Sequence, residues 1–85
     1  MKLKNIGSNQ NELVTTNARI LISYETPVAV IRSSSVGDHR VAEKTSYKWS
    51  RTTSKHINAW LSLNGCASAN EKDQSYFDNL LAEVK

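Results

Sequence analysis

The feature that most constrains this chain is a change of hydrophobic period close to residue 50. Before it, apolar residues recur at every second position, the repeat of a strand; after it they recur at every third or fourth, the repeat of a helix. Arg19-Ile20-Leu21-Ile22-Ser23-Tyr24 puts Ile20, Ile22 and Tyr24 on one face and Leu21 on the other, so this strand is expected to be central and covered on both sides. Ahead of it, Lys2-Leu3-Lys4-Asn5-Ile6 alternates and suits a sheet edge, and Leu13-Val14-Thr15-Thr16 leads into a turn at Asn17-Ala18. Glu25-Thr26-Pro27 reads as the next turn, because proline biases the residue before it away from helix. Val28-Ala29-Val30-Ile31-Arg32 is a β-branched run closed by a serine-rich loop reaching Asp38. A last strand, Arg40 to about Trp49, sets Val41, Glu43, Thr45, Tyr47 and Trp49 against Arg40, Ala42, Lys44, Ser46 and Lys48. The second set is almost entirely polar and is expected to meet water.

Beyond residue 50, Ile57, Trp60 and Leu61 fall at i, i+3 and i+4, one stripe of a helix spanning about 53–64. Thr52-Thr53-Ser54 offer hydroxyls to its free amides, and Asn64-Gly65 offers a left-handed stop. Phe77, Leu80, Leu81 and Val84 define a second helix over about 75–84, with Ser75 and Asp78 spaced as a capping box. Helices this short are marginal alone, so they must dock on the sheet. The expectation is an α+β fold of two layers, with four or five antiparallel strands over about 2–49 packed by two C-terminal helices. Its core would hold Ile20, Ile22, Tyr24, Val28, Val30, Val41, Tyr47, Trp49, Ile57, Trp60, Leu61, Phe77, Leu80, Leu81 and Val84. Burying Trp60 or Phe77 contributes about 2–3 kcal/mol each, a large share of a small domain's stability.

Eighty-five residues are expected to form one domain, 1–85. No apolar run approaches the roughly 18 residues that a bilayer span requires. The opening Met1-Lys2-Leu3-Lys4-Asn5 has no apolar stretch of a secretory signal, so a cytoplasmic location is expected, and the lone Cys66 suits a reducing compartment. The formal charge of +3 is unevenly spread. Residues 39–63 carry Arg40, Lys44, Lys48, Arg51 and Lys55 against Glu43 alone, whereas residues 64–85 carry Lys72 and Lys85 against Glu71, Asp73, Asp78 and Glu83.

The run Trp49-Ser50-Arg51-Thr52-Thr53-Ser54-Lys55-His56-Ile57-Asn58-Ala59-Trp60-Leu61 resembles the signature of small uncharacterised bacteriophage proteins, in which it closes the sheet and opens a helix. The resemblance extends to Asn11-Glu12-Leu13, to Ile22 through Ala29 and to Tyr76-Phe77-Asp78-Asn79-Leu80. It departs at Thr16-Asn17, where a glycine turn is usual, and in the serine loop before Gly37. It implies a phage-type accessory protein made in a bacterial cytoplasm, and it brings no activity with it.

Catalytic and metal-binding patterns find little support. His39, His56 and Cys66 have no ligand spacing, so no metal or cofactor is expected. No Gly-x-Ser-x-Gly elbow is present, no Ser or Cys is backed by a recognisable base, and three glycines make no phosphate-cradling loop. The chain is therefore expected not to be an enzyme. One constellation stands out: Arg51, Lys55 and His56 surround a helix start that favours anions, beside Tyr47 and Trp49 interleaved with Lys48. With Arg40 and Lys44 these are the candidate anion or nucleic-acid contacts. Against that reading, the alternation with Val41 assigns Tyr47 and Trp49 to the core, and His56 sits where it can stack on Trp60. The first functional expectation is an accessory protein that binds a host or phage protein, as an inhibitor or modulator. The alternative is a nucleic-acid binder that uses the basic segment 39–63.

Overall fold

The computed structural model describes residues 2–15, 18–33, 40–66 and 69–84, with the side chains of Ser33, Arg40, Glu83 and Val84 left aside. The serine loop, His39 and the predicted turn residue Asn17 lie outside the described residues, as does the side chain of the expected core residue Val84. Strands β1 (Lys2–Gly7), β2 (Gln10–Val14), β3 (Ala18–Ser23), β4 (Thr26–Ser33) and β5 (Arg40–Thr45) form an antiparallel meander. Helix α1 (Arg51–Leu63) then leads to β6 (Asn70–Lys72), which pairs parallel to β5, and α2 (Gln74–Val84) follows. The sheet thus has six strands in sequence order and is mixed, against the four or five antiparallel strands expected. β6 escapes a hydrophobic reading because Asn70, Glu71 and Lys72 are all exposed.

The α+β class holds, but the layering differs from the expectation. Helix α1 covers one sheet face, where Ile57, Trp60 and Leu61 meet Leu21, Val28, Ala29, Ile31 and Ala42. Helix α2 covers the other, where Phe77, Leu80 and Leu81 meet Leu13, Ile20, Ile22 and Val30. The molecule therefore has three layers, helix–sheet–helix. The alternation in β3 already required this, since Leu21 and its neighbours Ile20 and Ile22 all need cover. A bulge in β4 sharpens the division. Leu21 pairs with Ala29 but Ile22 pairs with Pro27, so Val28 is extra and joins Ala29 on the α1 side.

The ends of α1 follow from local chemistry. Ser50 is the N-cap, its Oγ accepting from the Thr53 amide at 3.1 Å, two residues earlier than the hydroxyls singled out in the sequence. At the other end Gly65 takes φ 73°, with Gly65 N–H donating to Ser62 O and Cys66 N–H to Leu61 O. That paired closure is a Schellman stop, and it turns Cys66 onto the α1 core. Helix α2 begins one residue before Ser75, so Ser75 lies inside its first turn and not at a capping position.

Two expected core residues fail at strand ends. Tyr24 is half exposed because it lies in the two-residue β3–β4 turn, where Tyr24 and Glu25 both adopt positive φ, 50° and 72°. Val41 is 47% exposed because α2 crosses β2, β3 and β4 and leaves that end of β5 uncovered. Its neighbours Ala42, Glu43 and Thr45 are buried instead, and Lys44 is partly buried, so neither face of β5 simply meets water. Glu43 tolerates burial because it is surrounded by donors. Tyr76 Oη donates to it at 2.5 Å, Arg32 Nε lies 3.7 Å away and Lys72 Nζ 3.9 Å away. Arg32 also donates to Tyr76 Oη at 2.6 Å. Burial, helped by the bond to the Glu43 carboxylate, raises the Tyr76 pKa above its ordinary value of about 10.

Candidate functional site

The carboxyl ends of β5 and β6, the β1–β2 and β3–β4 turns and the first turns of both helices all meet at one end of the sheet. Residues 46–50 cross this end between β5 and α1. Strand pairing stops at Thr45; Ser46 N–H donates to Lys72 O at 2.8 Å, and Tyr47 N–H donates to Thr45 Oγ1 at 3.2 Å. The chain bends there, so the alternation that assigned Tyr47 and Trp49 to the core no longer maps onto a sheet face. Tyr47 is 57% exposed and Trp49 45% exposed. Their rings contact each other at a centroid distance of 4.5 Å and a tilt of 53°.

Gln74 holds this linker in place. Its Oε1 accepts from Trp49 Nε1 at 3.0 Å and from Thr45 Oγ1 at 2.8 Å. Its Nε2 donates to Pro27 O at 2.8 Å and to Asp78 Oδ1 at 3.2 Å. One amide therefore ties the indole edge to β4, β5 and α2. Nothing in the sequence singles out Gln74, since its partners lie up to 47 residues away.

Four of the predicted cations gather beside the aromatic pair. Lys44, Tyr47, Lys48, Ser54, Asn58 and the acid Glu71 are among the residues that line a depression of about 150 Å³. A shallower one of about 400 Å³ adjoins it through Lys48, Ser54 and Asn58 and adds Ser50, Arg51 and Lys55. Among the described residues none of Lys44, Lys48, Arg51 and Lys55 has a carboxylate within 4 Å, whereas Arg19, Arg32 and Lys72 each have one. The first turn of α1 contains no acid. Cations near a helix N-terminus oppose its dipole, at about 0.3–1 kcal/mol each when exposed. The fold thus gathers four cations here, with Glu71 the single acid among the residues lining the two depressions.

The other two candidates do not join this cluster. Arg40 begins β5, five residues before Thr45 and so about 16 Å away along the strand. His56 points to the β3–β4 turn, its ring 5.8 Å from that of Tyr24 and nearly parallel to it. Its Nδ1 lies 2.9 Å from Ser23 Oγ, which is also 3.2 Å from Thr53 Oγ1. The sequence reading found no serine backed by a base because these two lie 33 positions apart. Ser23 is 2% exposed, so this hydroxyl tethers α1 to β3 and offers no open nucleophile.

Comparison with known proteins adds an affiliation. Residues 1–79 match the model of a family of unknown function, DUF8033. The chain belongs to that family. No curated protein and no solved structure matches it. In this DUF8033 member the matched span takes in the linker, all four clustered cations and Gln74. Among the described residues no three His, Cys, Asp or Glu side chains converge as metal ligands, and no helix is long and apolar enough to cross a membrane.

Proposed function

We propose that this DUF8033 protein is a non-enzymatic nucleic-acid-binding accessory protein that works through the linker end of its sheet. The observation that carries the reading is the exposed Tyr47–Trp49 pair beside four cations that, among the described residues, have no carboxylate within 4 Å. Cations meet phosphates and aromatic faces meet bases, which is the recurring chemistry of nucleic-acid contact. The resemblance of the Trp49–Leu61 run to bacteriophage proteins supports a phage-type origin and action in the cytoplasm of a bacterial host. A second reading, capture of a host or phage protein, draws on the same exposed tryptophan, tyrosine and arginine, residues that anchor protein interfaces. Three lysines in the patch weigh against it, because lysine is depleted at such interfaces.

Salt dependence tests the proposal. Four phosphate contacts predict a log–log slope near −2.8 for single strands, so affinity falls about 50-fold between 50 and 200 mM salt. Replacing both Lys48 and Arg51 by Glu should abolish binding while leaving the thermal transition in place, since both side chains are exposed. Absence of binding to DNA and RNA at low salt would refute the proposal. Stoichiometric recovery of one protein from infected or uninfected host lysate would then favour the second reading.

A further inference from the structure

We infer that the ligand at this site is a single strand, DNA or RNA, with one of its bases stacked on Trp49, and not a duplex. This rests on the nucleic-acid reading above and specifies it. The indole is fixed by its N–H to Gln74 Oε1, yet nearly half its surface stays open. A ring held at its edge by one hydrogen bond presents itself without further ordering, so little freedom is lost on stacking. In a duplex the bases are already paired and stacked, and only backbone phosphates remain for the cations; in a single strand each base has a free face. The spacing of the cations suits one strand. Arg51 and Lys55 lie one turn apart, about 6 Å along α1, and Lys48 lies between the two aromatic residues in the chain. All three line the depression of about 400 Å³, which adjoins the one lined by Tyr47, whose ring contacts that of Trp49; together they make a footprint of a few nucleotides. No side chain in this set requires a particular base, so tolerance of sequence is expected.

The two tryptophans make the test direct, because Trp60 is 2% exposed and Trp49 is 45% exposed. The intact chain is titrated with a 12-residue oligothymidylate, with a 12-base-pair DNA duplex and with heparin, a polyanion without bases, while tryptophan emission is followed. The expected result is binding of the oligothymidylate at least tenfold tighter than of the duplex, with quenching that disappears in Trp49→Phe. Trp49→Leu should weaken binding by about 5- to 150-fold, the value of one stacked base. Should Trp49→Leu fail to fold, the quenching in the unaltered chain still decides. Equal binding of all three probes with unchanged emission would overturn the inference and leave a purely electrostatic nucleic-acid contact standing. Failure of all three to bind would remove both.

Discussion

A double-mutant cycle across the sheet tests the three-layer arrangement. Ile57 on α1 and Phe77 on α2 are both buried, at 7% and 0% exposure, and the clusters around them share no residue. Ile57→Val removes one methylene and should cost about 0.5–1.5 kcal/mol. Phe77→Leu removes more surface and leaves a partial cavity, for about 1–2 kcal/mol. A chain of this length has about 4–13 kcal/mol in total, so the double variant stays folded in all but the lowest part of that range. With the whole sheet between them and no common partner, the two losses should add to within about 0.5 kcal/mol. If both helices shared one face, as a two-layer fold requires, the residues would pack in one cluster and couple by about 0.5–3 kcal/mol. Urea unfolding of the four proteins, followed by tryptophan emission and circular dichroism, gives the coupling. A value above about 1 kcal/mol would refute the opposite-face assignment.

Three further outcomes follow from particular contacts. Because the folded Tyr76 pKa is raised, the unfolded chain loses this proton first; its stabilising contribution is complete below about pH 10 and is lost as pH rises through the folded value. The urea midpoint of Tyr76→Phe should therefore fall less steeply above pH 10 than that of the unaltered protein, and parallel curves would contradict this. Glu25→Gly relieves a side chain held at φ 72° and should stabilise by about 1 kcal/mol, raising the melting temperature by roughly 4–8 °C; an unchanged or lowered transition would count against the left-handed turn. Gln74→Leu deprives Thr45 Oγ1, Trp49 Nε1 and Pro27 O of their partner, so it should cost about 1–3 kcal/mol and increase acrylamide quenching of Trp49; no change in either would mean that Gln74 does not hold the linker.

Much of the fold was legible because it rests on periodicity. Strands β1 to β5, in order, and both helices lie close to where the alternation and the stripes put them. However, β4 already begins at Thr26, read as turn, β5 stops at Thr45, and α1 begins two residues and α2 one residue before the expected starts. Which face each helix takes was not legible from the stripes alone, since a stripe states only that one side is apolar. The deciding information sat in β3, where Leu21 demands a partner opposite to that of Ile20 and Ile22. Burial of Glu43 was beyond a one-dimensional reading for a different reason. Its cover comes from Tyr76, Arg32 and Lys72, which only the sheet order and the crossing of α2 bring together.

The site was misread at one step, and a signal against that step was present in the chain. Continuing the alternation of β5 to Trp49 assigned both aromatic rings to the core. A strand ending at Trp49 and a helix starting at about 53 leave three residues for the chain to pass from the sheet onto the helix layer, an ordinary connector length, so length alone did not argue against the step. The signal lay in Ser46 and Ser50, turn and cap residues that let the strand stop at Thr45 and the helix begin at Arg51. Once the strand stops at Thr45, the positions of Tyr47 and Trp49 follow from the geometry of the crossing and not from the pleat. The crossing sets two large rings at the sheet end next to Lys48 and Arg51. Connectors that only span layers are usually small and polar, because exposed aromatic area gains nothing from folding. Two aromatic rings in a connector this short, one of them held by the Gln74 amide, are what the proposed single strand would stack on.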